Sequence, residues 1–260
     1  MKPIEPANAA ADLGLNPSIR AFWTDNVNAE RLMGRDVTTH GRGEDAYFRD
    51  LESQRYRSHR HLLPWISDME PGRSVIEVGS GIGLDTFTMV RHGLEVVALD
   101  LTEVAVATAR QRYRQEAAHP SFAVADGAHL PFPDGHFDYY YSFGVLHHAA
   151  DTVACIAEAH RVLRPGGQAR VMLYHRRSLN ELVHRLVRVP FEERNALCPV
   201  VRRFTRAEVR DLFGCFRQVE IRLEYAFGEG YGHLFGLVPR PLYDFISRHW
   251  GWHIMIKADK

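Results

Sequence analysis

The sequence predicts an α/β protein whose parallel sheet is doubly wound, covered by helices on both faces. Three observations predict it. Between residues 74 and 174, short β-rich runs alternate with helical ones. These runs are nearly continuous in apolar residues, as strands buried on both faces must be. The first of them ends in a glycine-rich turn that opens a helix. Right-handed crossovers then place a ligand at the C-terminal ends of the strands.

The elements follow in order. Pro17 to Asn26 is predicted as a short helix carrying Phe22 and Trp23, and Glu44 to Ile66 as a longer helix broken near Pro64. In the second, Tyr47, Phe48, Leu51, Tyr56 and Leu62 fall roughly on one helical face. Ser74–Val78, Glu95–Leu99, Phe122–Ala125, Phe137–Ser142 and Gln168–Tyr174 are predicted strands. Asp85–His92, Thr102–Ala117 and Asp151–Leu163 are the helices between them, with Asp151 placed to cap the last. Pro165-Gly166-Gly167 is predicted to break the chain before the fifth strand. Beyond it, Ser178–Arg188 and Thr205–Phe213 read as helices, and Phe216–Tyr225 and Trp252–Ile256 as strands.

Composition bounds the function. The 260 residues suffice for one large α/β domain with added elements. Lys and Arg number 32, as do Asp and Glu, so net charge gives no electrostatic reason for a nucleic-acid partner. Arg202, Arg203, Arg206 and Arg210 are interleaved with acidic residues and read as a solvated face. No run is long and apolar enough for a membrane span, and Met1 to Pro6 lacks the apolar core of a secretory signal, so a cytoplasmic protein is expected. Cys155, Cys198 and Cys215 are too widely spaced for a disulfide framework or a zinc site. His59 and His61, two apart, would not share a helix face and read as a solvated pair, so no metal is expected.

Four motifs carry chemistry. Glu77-Val78-Gly79-Ser80-Gly81-Ile82-Gly83 ends the first strand, and its glycines let the backbone turn tightly against a ligand. A dinucleotide fingerprint wants glycine where this chain has Leu84. Asp100, after the second strand, can accept hydrogen bonds from two ribose hydroxyls, or can cap the helix beginning near Thr102. Asp126, in Ala125-Asp126-Gly127-Ala128, can accept from an adenine amine, with Leu101 and Ala128 against the ring faces. The fourth is Asp138 to His148, followed by Arg161 to Gly167.

Together these motifs resemble the class I S-adenosylmethionine-dependent methyltransferases, nearest the ubiquinone and menaquinone C-methyltransferase type. The resemblance covers about residues 74 to 175. It implies a Rossmann-like sheet, mostly parallel with a seventh, antiparallel strand that Trp252–Ile256 could supply. It implies S-adenosylmethionine as cofactor, with Glu77, Gly79, Ser80, Gly81 and Gly83 around its methionine part. Asp100 and Leu101 would meet the ribose and adenine, Asp126, Gly127 and Ala128 the adenine, and Ser142, Phe143 and Gly144 would lie beneath the sulfonium.

Methyl transfer chiefly requires alignment and exclusion of water. A base is needed only where the acceptor carries a proton, and His147, His148 and His175 are the candidates at the sheet's C-terminal edge. Residues 1–70 are expected to form a helical lid over a domain spanning 71–260, with an insertion at about 176–250 contributing to the acceptor site. Trp23, Tyr47, Tyr56, Tyr174 and Tyr231 are candidates to line an apolar cavity for a small, apolar or aromatic acceptor. Two other readings stay open: a nucleotide-dependent oxidoreductase and a non-catalytic S-adenosylmethionine-binding protein.

Overall fold

The computed structural model describes residues 9–27, 30–32, 35–113, 120–187, 198–228 and 237–260. Its centre is a seven-stranded sheet: β1 (Ser74–Val78), β2 (Glu95–Asp100), β3 (Ser121–Val124), β4 (Phe137–Phe143), β5 (Leu163–Tyr174), β6 (Gln218–Glu224) and β7 (His253–Asp259). The spatial order is β3-β2-β1-β4-β5-β7-β6. β1 to β5 pair in parallel, and β7 runs antiparallel to both β5 and β6. The order reverses between β1 and β4, which is where open α/β sheets leave a crevice for a ligand.

Period-2 alternation sends neighbouring residues to opposite faces. Ile76, Tyr140, Val171 and Ile254 pack on one side with Ile156 and Ala159 of α6 (Thr152–Val162) and Val209 of α8 (Arg206–Leu212). Val75, Tyr141, Met172 and Met255 pack on the other, against α3 (Leu62–Ser67), α4 (Leu84–Arg91) and α5 (Glu103–Tyr113). Asp151 caps α6 by accepting from the Ala154 N–H at 2.9 Å, a contact worth about 1 kcal/mol.

Three expectations are revised. Pro165-Gly166-Gly167 does interrupt the pairing with β4, which passes from Leu163 opposite Phe137 to Gln168 opposite Tyr139, but β5 continues through it as a bulge whose Gly166 and Gly167 exchange backbone hydrogen bonds with Lys260. The first helix, α1 (Ala9–Asp25), runs through Pro17 instead of starting at it. Ile19 packs there with Ala150 and Val200, burial that offsets the backbone hydrogen bond proline cannot make. The segment from 44 to 66 is two helices, α2 (Asp45–Ser58) and α3, separated by His59 to His61. α7 (Leu179–Val187) follows β5, and α9 (Arg240–Trp250) precedes β7. Among the described residues no helix is long and apolar enough to cross a membrane.

Candidate functional site

The turn after β1 is held by β2. Gly79 and Ser80 both donate to the Leu99 carbonyl, at 2.8 and 2.9 Å. Gly79 adopts φ 78, and a Cβ there would lie 2.3 Å from Val145. Gly81 adopts φ 53 and faces open space. One position therefore needs glycine for a close approach to the loop after β4, and both need it for a left-handed backbone.

Gly79 and Gly81 sit between two adjoining cavities and line both. The first encloses about 840 Å³, including its open mouth. Asp100 and Leu101 from β2, Asp126 and Gly127 after β3, and Gly144 after β4 line it. Asn16, Ile19 and Trp23 of α1 cover it. Asp100 accepts from the Gly81 N–H through one oxygen, and from the Thr102 N–H through the other, each at 2.9 Å. It thus holds both the glycine turn and Thr102, whose hydroxyl accepts from the Ala105 N–H to cap α5, and its carboxylate retains lone pairs for a ligand. Burial pushes its pKa up, against the hydrogen bonds from Thr102 and Gly81. Asp126 accepts from the Ala128 N–H at 3.0 Å and from the Asn16 amide.

The second cavity, about 350 Å³, is lined by Glu77, Ser80, Phe143, Arg55 and Asp85. Arg55, on α2, makes a bidentate pair with buried Asp85, at 2.7 Å through Nε and 2.5 Å through Nη2. Tyr56 and Tyr141 also donate to Asp85, at 3.1 and 2.8 Å. Burial alone would raise the Asp85 pKa, but the charge and hydrogen bonds of Arg55 hold it below the usual carboxylate value. Among the described residues Glu77 forms no ion pair, though the Arg55 charge acts on it from its pair with Asp85. Burial, then the charge of Asp85, pushes it up to about 8, and Thr86 donates to it.

The site thus unites Glu77, Gly79, Ser80, Gly81, Asp100, Leu101, Asp126, Gly127, Phe143 and Gly144. Three of the expected cofactor residues lie off both cavities. Gly83 caps α4, and the Ala128 side chain packs on the core. Ser142 is fully buried and donates to the Val78 carbonyl at 2.9 Å, tying β4 to β1. Alternation along β4 makes Phe143, its neighbour, the residue that faces the site.

The histidines separate similarly. His148 lines the first cavity, with Trp23 edge-on at 5.1 Å. His147 is fully buried behind it, 3.7 Å from the Tyr174 ring, and reaches neither cavity. His175 is buried too, its Nδ1 donating to the Gly251 carbonyl at 3.0 Å. Tyr47 packs with Phe48 and Leu51 in a separate cluster and lines neither cavity. Tyr56 serves the Asp85 network, Tyr174 lies between His147 and Trp252, and Tyr231 is outside the described residues.

Several side chains at the site carried no local signal. Arg55, Asp85 and Asn16 are ordinary helical residues in sequence, and only the fold brings them here. Arg202 is no solvated residue: it donates to the Ala149 and Ala150 carbonyls and braces the loop after β4. His59 and His61 are half-buried, their rings 6.0 Å apart, rather than a solvated pair. Among the described residues, no group of three or more metal-ligating side chains is arranged to hold an ion.

This geometry agrees with the comparisons to known proteins. A family model described as a methyltransferase domain matches residues 76–171. A cycloartenol-C-24-methyltransferase from Arabidopsis thaliana is 31% identical over 155 residues, covering 56% of this chain and 46% of that protein. The ubiquinone/menaquinone biosynthesis C-methyltransferase UbiE of Dinoroseobacter shibae is 36% identical over 116 residues, covering 43% and 46%. The chain therefore spans about half the length of these curated relatives. A solved S-adenosylmethionine-dependent methyltransferase from Thermotoga maritima, titled a possible histamine N-methyltransferase, shares the fold. Its TM-score is 0.61 at 17% identity, over 82% of this chain and 96% of that one. Residues 76–171 thus match a methyltransferase domain, set in a Rossmann-like sheet.

Proposed function

We propose that the protein transfers a methyl group from S-adenosylmethionine to a small, apolar or aromatic acceptor. The observation that carries this reading is one crevice, at the reversal of strand order, lined by the Gly79–Gly81 turn, Asp100 and Asp126. The donor set fits the cofactor. Asp100 would accept from the ribose hydroxyls and Asp126 from the adenine amine, between the apolar walls of Leu101 and Ile19. In the second cavity, Glu77 would meet the ammonium, and Arg55 Nη1, outside the Asp85 pair, the carboxylate. The bound cofactor supplies an electrophilic methyl. The chain's own residues bind and align it, while α1 and the end of α2 screen the crevice from water. The lid role of the N-terminal helices and the acceptor role of the flanks belong to this reading.

Calorimetry and thermal shift test it: S-adenosylhomocysteine stabilises the protein, and a nicotinamide dinucleotide does not. The reverse preference would overturn the reading in favour of an oxidoreductase.

Glu77 adds a second expected result. With a pKa of about 8 it is mostly protonated at pH 7, and a cofactor ammonium beside it favours the ionised form. Binding of S-adenosylhomocysteine at pH 7 therefore releases about one proton, and affinity rises with pH up to about 8. The sign is opposite for the free protein. A carboxyl raised from 4.5 makes folding less favourable as pH climbs from 4.5 towards 8. Binding enthalpies in two buffers of different ionisation heat measure the release, and Glu77→Gln abolishes it. Equal enthalpies for the wild-type protein would exclude the ammonium assignment.

A further inference from the structure

Beside Phe143 stands a group of side chains that the reading above leaves unused. His59 and His61 separate α2 from α3, Tyr225 follows β6, and His253 opens β7. Their histidine rings surround Phe143, at centroid distances of 6.0 Å for His59 and His61 and 5.3 Å for His253. Phe143 itself lines the second cavity, with the Arg55 guanidinium 5.2 Å from its ring centre. The rings of His59, Tyr225 and His253 are parallel to within 12°, with centroids 4.5 to 5.4 Å apart.

Hydrogen bonding sets the tautomers. His59 Nδ1 lies 3.1 Å from the Arg55 carbonyl, which can only accept, so Nδ1 holds the proton and Nε2 the lone pair. His61 Nε2 and His253 Nδ1 are 3.1 Å apart and share one proton between them. His59 Nε2, His61 Nδ1 and His253 Nε2 make no hydrogen bond among the described residues. His253 is only 2% exposed, and an imidazole nitrogen without a protein partner, on a ring so enclosed, is a place for a ligand. Tyr225 is the one non-glycine among the described residues in the left-handed region, at φ 63. The Trp252 N–H, donating to its carbonyl at 2.8 Å, helps hold it there. Such strain persists where the surroundings enforce it, often at functional sites.

We propose that His59, His61, His253 and Tyr225 form the acceptor wall, that it takes a planar acceptor bearing a phenolic or enolic hydroxyl, and that His59 Nε2 receives the hydroxyl proton. The proposal rests on the methyl-transfer reading. In the step, an acceptor lone pair forms the bond to the methyl carbon while the carbon–sulfur bond breaks. That bond's electron pair stays on sulfur as a thioether, and the proton becomes an imidazolium N–H. One positive charge, first on sulfur, ends on the imidazole, so the wall never faces two new cations.

The electrostatics favour a neutral acceptor over an ammonium. Arg55 from α2 and Arg222 from β6 face this group, and Asp85 from α4, the nearby carboxylate, is held by Arg55. His147 faces His253 from behind. Burial holds His59 near pKa 4, and His61 and His253 well below the ordinary histidine value, so all three are neutral near pH 7 with lone pairs available.

The test uses the full chain saturated with S-adenosylhomocysteine, titrated with 4-nitrophenol and with 4-nitroanisole, which lacks the hydroxyl proton. The phenol binds more tightly, by about tenfold or more, the weight of one hydrogen bond to an ionising group. Its bound absorption band moves to longer wavelength, as a hydrogen bond from the un-ionised hydroxyl to the neutral His59 imidazole makes it. His59→Gln brings the phenol down to the level of the anisole, removes the spectral shift and leaves S-adenosylhomocysteine affinity unchanged. Should that variant not fold, the wild-type comparison of the two probes decides alone. Equal binding of the probes, or wild-type behaviour of a folded His59→Gln, overturns the proposal. So does a stoichiometric divalent metal that the wild type retains and that excludes the phenol. Failure of S-adenosylhomocysteine to bind the wild type would instead overturn the methyl-transfer reading, and is read separately, before either probe is added.

Discussion

Arg55→Met lowers the free energy of unfolding at pH 7 by about 3–5 kcal/mol, the range for breaking a buried ion pair from one side. The cause is the charge left behind. Asp85 is 3% exposed, and without the guanidinium its carboxylate keeps, among the described residues, the Tyr56 and Tyr141 hydroxyls alone. For a chain of this size the melting temperature falls by roughly 6–20 °C. The pH dependence identifies the mechanism. In the wild type the Asp85 pKa lies below 3.8, so its stabilising contribution is present above that value and lost as pH falls through the lowered pKa. In the variant, burial raises the same group, and stability falls as pH rises through its new pKa. The gap between the two proteins is widest near neutrality and narrows in acid. Arg55→Met combined with Asp85→Leu regains most of the loss, because no charge is then stranded. Thermal melts from pH 4 to 8 measure all three proteins. A single variant as stable as wild type at pH 7 would show that solvent reaches Asp85 and that the pair is not a structural anchor.

What could be read in advance depended on how local the cause was. The alternation in Val75-Ile76, Tyr140-Tyr141 and Val171-Met172 is a property of consecutive residues, and it fixed a sheet buried on both faces. The glycines at 79 and 81 suit the left-handed backbone of a turn directly after a strand, and Asp100 and Asp126 follow directly from the strand ends. Within the fourth motif the same alternation distinguishes Ser142, turned to the Val78 carbonyl, from Phe143 in the second cavity. A motif read as a block hides that difference. The histidines failed for another reason. The rule that residues two apart diverge applies within a helix, and α2 ends at Ser58, so His59 and His61 lie beyond its reach. Their partner His253 is 192 residues away from His61 in sequence. Arg55 and Asp85, 30 residues apart, are likewise joined only by packing α2 against α4. The helix Arg240–Trp250 was obscured by Pro239 and Pro241, which suit a helix start as well as a loop.

Asp100→Ala is expected to weaken S-adenosylhomocysteine binding by about 1.5–3 kcal/mol, roughly 10- to 150-fold, if its carboxylate receives the ribose hydroxyls. Two losses act together. The ligand loses a charged acceptor, and the Gly81 N–H loses the oxygen that holds it at 2.9 Å. The turn between the cavities then keeps its left-handed glycines but not the bond that sets their position. Thr102, which caps α5 through the Ala105 N–H, loses the acceptor that holds its N–H and hydroxyl, so the start of α5 loosens as well. Asp100→Asn separates these contributions. Its single carbonyl oxygen can serve Gly81 or Thr102 but not both, and its amide offers a donor where the other N–H already points. Asn therefore recovers little of the turn and less of the ribose contact, and binding stays well below wild type. The sheet remains folded in both variants, since Asp100 lies at the end of β2 rather than in the apolar layers. Calorimetry with S-adenosylhomocysteine, paired with a melt of each free variant, gives both quantities. A folded Asp100→Ala that binds the ligand as tightly as wild type would leave Asp100 with Thr102 and the turn alone, and would move the ribose contact to another residue of the crevice.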